Sequence, residues 1–472
     1  MHNRRLPDFR RYRVRPWLVG WTNFRGFSGK VDLRFPRITL LIGRNNVGKT
    51  SAYAPLLLLR QTLEARNPRT ALLTRGEFLD VGNFRDLITD HDVSRTLTFS
   101  VGLDRRSRVR VRSDRSIPSE LEVSFEGEKD GGIALKQSRI LDAKGRAIVT
   151  RTRKDSETYQ VSSPLLPTSS TIGRPYKEVT ELRRAMREEK PEGFLFNGFG
   201  ALLMPRSWSE DEDRWEKVRG WYNGANELVR TYRTVNAQVE SQLRSISYLG
   251  PLRSLPKRTY QLSAEVPTSV GRDGEFAPEL LFRAADSARV REVVDNWLTK
   301  FGYGRLKFRN SGDDFFQVSL CSQGKGGLEV NLAHCGIGIS QLLPMLVQGV
   351  LTPAAGTFIA QQPEIHLNPA QQCLVTDFLI DTASRNRRVI VETHSEHILL
   401  RLRRRIAEGE LRSGDVAVYF FDYRDGRSVV ESVSLGERAE LDRSEWPTGF
   451  FEEQLQDSFA LAVAQATPKV AK

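Results

Sequence analysis

Eight consecutive residues, Gly43-Arg44-Asn45-Asn46-Val47-Gly48-Lys49-Thr50, have the side chains and spacing that hold phosphate. They fit G-x-x-x-x-G-K-[ST], follow the apolar run 38–42 and lead into a helical run over 51–63. Glycines let the backbone curl so that several N–H groups and the helix N-terminus face the anion. Lys49 adds a positive charge at the β and γ phosphates, and Thr50 a hydroxyl for Mg²⁺. Asn45, Asn46, Gly48 and Ser51 complete the candidate cradle.

Later segments supply groups for the same phosphates. The apolar strand expected from Thr357 ends in Gln361-Gln362-Pro363-Glu364, where a P-loop ATPase places the acid that orders its Mg²⁺ and its general base. A second buried strand, 388–392, ends in Glu392-Thr393-His394-Ser395, and His394 there can reach a γ-phosphate and sense its loss. Between glycines, His334-Cys335-Gly336-Ile337-Gly338-Ile339-Ser340-Gln341 offers Ser340 as the N-cap of an apolar helix over 342–351. A glycine-flanked helix N-terminus is an anion site. Because one P-loop already serves the chain's own nucleotide, Ser340 is expected to cap the γ-phosphate of another subunit, giving a head-to-tail dimer with two ATP molecules at its interface.

These elements resemble the ABC-type ATPases of the SMC, OLD and prokaryotic defence-associated groups. The nearest resemblance is to the bacterial ATPases whose C-terminal part is a domain of unknown function. It rests on Asn23-Phe24-Arg25-Gly26-Phe27, the P-loop, Tyr248-Leu249-Gly250-Pro251-Leu252-Arg253, Gly338-Ile339-Ser340-Gln341, Gln362-Pro363-Glu364-Ile365-His366-Leu367, Glu392-Thr393-His394-Ser395 and Trp446-Pro447-Thr448-Gly449-Phe450-Phe451. The resemblance implies an ABC-ATPase head: an α/β fold with a mixed β-sheet core, an antiparallel β subdomain and a short helical insertion. It also implies Arg25 near the adenine, Ser340 on the opposite nucleotide, His394 as the switch histidine, and ATP and Mg²⁺ as cofactors. The setting it suggests is anti-phage defence or genome maintenance, with a separately encoded nuclease or toxin as effector. No glutamine in 76–86 offers itself for the Gln-loop.

One departure bears on chemistry. ABC enzymes end this strand with an acid and then a glutamate, and in the family of nearest resemblance the pair commonly reads Glu-Gln, whereas Gln361 and Gln362 are both amides. An amide can hydrogen-bond water without taking its proton, so turnover should lose a general-base factor of ~10²–10⁴ while ATP binding survives. Three accounts stay open: a slow natural ATPase, Glu364 or Glu392 acting instead, or Gln361 as an introduced substitution. Gln361 and Thr50 are the candidate metal-side ligands, and Gln361, Gln362 and His394 the candidate catalytic set.

The elements that must position these groups fall into five stretches. Residues 1–105 read as the N-terminal part of the ATPase lobe, with the strands before the P-loop forming its sheet edge. Residues 106–163 alternate with period two and read as an antiparallel β subdomain. Residues 164–245 form a loop-rich and helical insertion, with one or two long helices from about 209. Residues 246–410 hold the C-terminal lobe, and 411–472 a small α/β element ending in a low-complexity tail.

At 472 residues a sizeable core is within reach, and no run approaches the ~20 apolar residues of a bilayer span. No membrane role and a cytoplasmic location are expected. Cys321, Cys335 and Cys373 lack C-x-x-C spacing, which argues for reduced thiols over disulfides or zinc. A net charge of +13 makes polyanions plausible partners. Arg106, Arg108, Arg110 and Arg112 alternate along a strand, sharing one face at about 6.7 Å intervals, and could line DNA or simply face solvent. Arg401, Arg403, Arg404 and Arg405 read better as a solvated helix, and His366 as a turn residue. Asp422, Asp425 and Glu431 suggest nuclease acids, but the 58 residues after Gly414 are too few for such a module. The leading expectation is an ATP-driven dimerising switch acting with DNA or an effector; the alternative is an ATP-dependent scaffold that assembles a partner complex without binding DNA.

Overall fold

The computed structural model describes residues 16–103, 117–156, 158–166, 177–188, 191–196, 212–283, 288–322, 327–440 and 460. The arginine stripe of 106–112 and the motif beginning at Trp446 lie outside the described residues. The chain divides into two compact units: Arg15–Phe35 with Thr50–Ser245, and Met1–Val14, Pro36–Lys49 and Ile246–Lys472.

The first of these units holds strands β1 (Trp17–Phe24) and β2 (Phe27–Phe35); the next strand of the chain, β3 (Ile38–Gly43), belongs to the other unit. Helices α1 (Ala54–Leu63) and α2 (Phe84–Leu87) follow, then β4 (Leu97–Gly102), β5 (Pro118–Gly127), β6 (Ile133–Asp142), β7 (Ala147–Arg153) and β8 (Tyr159–Ser162). Helices α3 (Lys177–Glu188) and α4 (Glu212–Arg244) complete it. Seven strands pair in the order β2-β1-β4-β5-β6-β7-β8, all antiparallel. The strands before the P-loop therefore separate, contrary to the expectation of a common sheet edge. Their patterns explain it: β2 mixes buried with exposed positions, as in a sheet with one covered face, whereas all six residues of β3 are buried, as in a strand covered on both faces. The long helix expected from about 209 is α4, 33 residues.

The second unit continues with β9 (Ile246–Leu249), β10 (Tyr260–Gln261), α5 (Ala277–Arg283), α6 (Ala288–Lys300), β11 (Arg305–Asn310), β12 (Phe315–Cys321) and β13 (Glu329–Asn331). Then come α7 (Ile337–Leu351), β14 (Thr357–Gln361), α8 (Pro369–Ser384), β15 (Arg388–Glu392), α9 (Glu396–Ala407), β16 (Val416–Arg424) and β17 (Arg427–Val433). A six-stranded sheet runs β17-β16-β3-β15-β14-β9, parallel except for its β17 edge. β10, β11, β12 and β13 form a small antiparallel sheet. The architecture is mixed α/β with several sheets, as expected.

Helix α7 packs on α5, α6, α8, β9 and β14. It buries Ile339, Leu342, Leu343, Met345, Leu346 and Val347 completely or nearly so, each side chain contributing roughly 1.5–3 kcal/mol by removal from water. Its start corrects the expectation for Ser340. The helix begins at Ile337 with Gly336 as an N-cap that offers no side-chain bond, so Ser340 lies inside the first turns, buried, its hydroxyl donating to the Ile337 carbonyl at 2.6 Å. Pro344 follows four residues later and has no N–H for the Ser340 carbonyl.

Candidate nucleotide-binding site

In an open parallel sheet the carboxyl ends of the strands are where ligands bind, and β3, β15 and β14 lie side by side. Their ends bring together the P-loop, Glu392-Thr393-His394 and Gln361-Gln362. Gly43, at the end of β3, has φ 141°, and a Cβ there would stand 2.2 Å from the Phe421 carbonyl oxygen of β16, so only glycine lets the loop leave the sheet at this point. Asn46 and Gly48 also have positive φ, 61° and 93°, and curl the loop. Lys49 opens a short 3₁₀ turn, Lys49–Ala52, which runs on to Thr50 and Ser51.

Lys49 is 4% exposed, and its ammonium donates to the carbonyls of Gly43 (3.1 Å) and Arg44 (2.5 Å). Burial lowers its pKa, and the charges of Glu392 and Glu364 oppose that shift. The ammonium is hydrogen-bonded to loop carbonyls rather than to a carboxylate, which suits it to exchange them for phosphate oxygens. The Ser51 hydroxyl is also buried without a hydrogen-bond partner. These groups fit the phosphates of ATP. Among the described residues no group of three or more His, Cys, Asp and Glu side chains could form a metal cage. Mg²⁺ does not need one, since it is usually held by few protein groups together with phosphate and water.

Gln361 pairs in register with Glu392 across β14 and β15, and its side-chain oxygen accepts from the Tyr248 hydroxyl at 2.9 Å. Burial pushes Tyr248 up to about 12, so this hydroxyl remains a donor through the neutral range. Gln362 takes φ 47° and donates its N–H to the Glu392 carbonyl at 2.7 Å. The turn that follows aims Glu364 inward. At 8% exposure, Glu364 accepts from the His394 N–H at 2.7 Å through one oxygen, while Oε2 is buried without a hydrogen bond. Burial pushes its carboxyl up, making it a better proton acceptor when ionised. Burial and then the charge of Lys49 lower the His394 imidazole pKa.

Arg253, at the end of the Tyr248-to-Arg253 motif, has no local partner in sequence to signal its role. It is 6% exposed and donates to the Gln361 carbonyl (2.9 Å), the Gln362 carbonyl (3.5 Å) and the side-chain oxygen of Gln341 on α7 (3.3 Å). One guanidinium thereby ties the end of β14 to the first turns of α7. The packing around Gly338 is also close: a Cβ there would lie 2.7 Å from the Tyr303 hydroxyl and 3.3 Å from the His366 carbonyl oxygen of the turn after β14, so a larger residue would make both give way. His366 itself is exposed, with φ 61°, as suits a turn residue.

Arg25, in the other unit, has φ 52° in the β1–β2 turn and donates its N–H to the Leu87 carbonyl at 2.7 Å; burial lowers its pKa. The arginines of α9 are structural. Arg401 and Arg405, one turn apart, both bind the buried Asp377 of α8, at 2.6 and 2.8 Å, while Arg404 pairs with Glu408. Asp422 and Glu431 both pair with Arg424. All three cysteines are free thiols, and no helix among the described residues is long and apolar enough to cross a membrane.

A family model described as "AAA domain, putative AbiEii toxin, Type IV TA system" matches residues 38–400, from the P-loop strand through the switch segment. The chain belongs to this family. That makes it a P-loop ATPase of the AAA/ABC class. Residues 411–461 match a second model, "Protein of unknown function (DUF3696)". No curated protein matches the chain. Among solved structures it is similar to the SMC head domain from Thermotoga maritima, at 10% identity, 89% of this chain, 100% of that chain and TM-score 0.35. Another is the Smc head domain with an extended coiled coil bound to the C-terminal domain of ScpA derived from Pyrococcus furiosus, at 10% identity, 96% and 100% coverage and TM-score 0.37. A third is the Smc head domain with a coiled coil and joint derived from Pyrococcus yayanosii, at 11% identity, 90% and 98% coverage and TM-score 0.38. Scores this low describe a loose overlap of chain paths, and the fold stands on the strand order and register above.

Proposed function

We propose that the chain is an ATP-held dimerising switch that binds nucleotide well and cleaves it slowly. The observation that carries this reading is the pairing of a buried Lys49, its ammonium on the P-loop carbonyls, with amides at Gln361 and Gln362. ATP with Mg²⁺ would be held by Lys49, Thr50, Ser51 and the amides around Asn45, Asn46 and Gly48, with Arg25 on the adenine. Mg²⁺ supplies charge neutralisation at the phosphates. Gln361, fixed by Tyr248, and Gln362 orient water without taking its proton, and Glu364 is the carboxylate this turn offers as a proton acceptor. His394 senses the γ-phosphate.

The surface for a second copy is the N-terminus of α7, where Gly336 is exposed and Ile337 is 47% exposed with no side-chain cap. First-turn N–H groups, in place of the Ser340 hydroxyl, would meet the partner's γ-phosphate. Arg253 then carries the state of that helix to the end of β14. The family description names a toxin of a toxin–antitoxin system for other members, which supports a defence setting with an effector protein; DNA contact through Arg106, Arg108, Arg110 and Arg112 is the remaining partner reading. Light scattering of the full chain with MgATP tests the switch. A doubled mass that disappears in Lys49→Ala supports it, and a mass independent of ATP in both proteins overturns it.

A further inference from the structure

At the amino-terminal end of the interior strand β15, opposite the strand ends described above, a cavity of about 420 Å³ opens between the start of α6, the end of α7 and the 385–387 turn. That volume is in the range of small-molecule sites. Arg289, Arg385 and Arg387 line it, with Asn386 between the last two and an apolar flank of Val293 and Val350; among the described residues its lining includes no acid.

The polar groups here are incompletely satisfied. Arg387 spends its two terminal nitrogens on the last turn of α7, donating to the Gly349 and Val350 carbonyls at 3.0 and 2.9 Å, and its Nε is buried without a partner. Asn386, at φ 61°, has a buried Oδ1 that also lacks a partner. Arg385 pairs with Asp381 at 3.0 Å, so one carboxylate faces a cluster of three guanidinium groups. Burial, and then the charge of Arg385, push Arg387 down to about 10. Arg289 lies in the first turn of α6, where the helix dipole adds positive potential.

We propose that this cavity binds a small phosphorylated molecule, with its phosphoryl group on Arg289, Arg385 and Arg387, a donor of the ligand on Asn386 Oδ1, and its apolar part on Val293 and Val350. Guanidinium forks match phosphate oxygens geometrically, and several converging on one pocket select a multiply charged anion. The small lining, guanidinium groups beside valines, suits a free small molecule rather than a nucleic-acid backbone, which would need an extended basic surface. The site also has a mechanical connection to the nucleotide end. Arg387 holds the C-terminal turn of α7, and the N-terminus of the same 15-residue helix lies about 22 Å away at the signature glycines. The inference stands on this cavity alone and does not depend on ATP binding.

Calorimetric titration of inorganic pyrophosphate into the full chain carrying Lys49→Ala, which weakens the P-loop, tests it. One binding event is expected, weakened roughly 10- to 100-fold by Arg289→Gln and by Arg385→Gln, each losing a charged hydrogen bond. Both side chains are exposed, so the fold should tolerate the changes, and retained melting curves check this. Absence of binding at millimolar pyrophosphate, or an affinity unchanged in both variants, overturns the proposal. Failure of ATP to dimerise the unsubstituted chain would leave this result untouched.

Discussion

Replacing Arg253 by Met removes the guanidinium that joins β14 to α7 and keeps most of the side-chain volume. Three acceptors lose their donor: the Gln361 carbonyl at 2.9 Å, the Gln341 amide oxygen at 3.3 Å and, at the limit of a hydrogen bond, the Gln362 carbonyl at 3.5 Å. Bonds to a charged donor are worth about 1.5–3 kcal/mol each. Two good ones, less the desolvation that holds this guanidinium down at about 10, leave a net loss of roughly 3 kcal/mol. For a unit of this size that corresponds to a fall of about 6–12 °C in the unfolding midpoint. Differential scanning calorimetry of the two proteins reads it directly. Arg253 is also a cation facing the buried Glu364, so the double variant Arg253→Met/Glu364→Gln should lose less than the sum of the singles, by about 1 kcal/mol. A midpoint within about 2 °C of the unsubstituted protein, or strict additivity in the double variant, would refute the reasoning.

Asp377→Asn should cost roughly 3 kcal/mol in chemical denaturation, because it strands Arg401 and Arg405 beside a buried neutral group. Burial works to raise the Asp377 pKa, and the hydrogen bonds from Arg405 and Arg401 overcome it, so the folded value lies below the ordinary one. A depressed carboxyl contributes stability above its unfolded pKa and loses it as pH falls through the folded value; the gap between the two proteins should therefore shrink below about pH 4. In NMR titration the His394 imidazole should ionise below the ordinary histidine value and move up in Lys49→Met, which removes the neighbouring cation. An unmoved titration would mean that the two side chains do not share one electrostatic site.

Much of the phosphate site was legible because its signals are local. A continuous apolar strand, a glycine turn and a lysine follow one another in 38–50, and β3 is buried on both faces as such a run requires. The polar ends of β14 and β15 were equally readable. The role of Arg253 was not, since its acceptors lie 88 to 109 residues away and nothing beside it in the chain announces them. Ser340 was misread because serine is a common cap, whereas the cap here is Gly336, which has no side chain to reveal it. The joining of β1 and β2 with β4 to β8 depends on pairings as distant as Val19 with Val101, beyond the reach of periodicity.

A chain with amides at 361 and 362 should hold ATP better than it cleaves it. Steady-state phosphate release by the unsubstituted chain beside Gln361→Glu/Gln362→Glu, at saturating MgATP, measures this. With the Tyr248 hydroxyl already placed to donate to position 361, the substituted chain should turn over ~10²–10⁴-fold faster while its ATP affinity changes little. An unsubstituted chain that releases phosphate as fast as the substituted one would contradict the account and put the proton acceptor elsewhere, at Glu364 first.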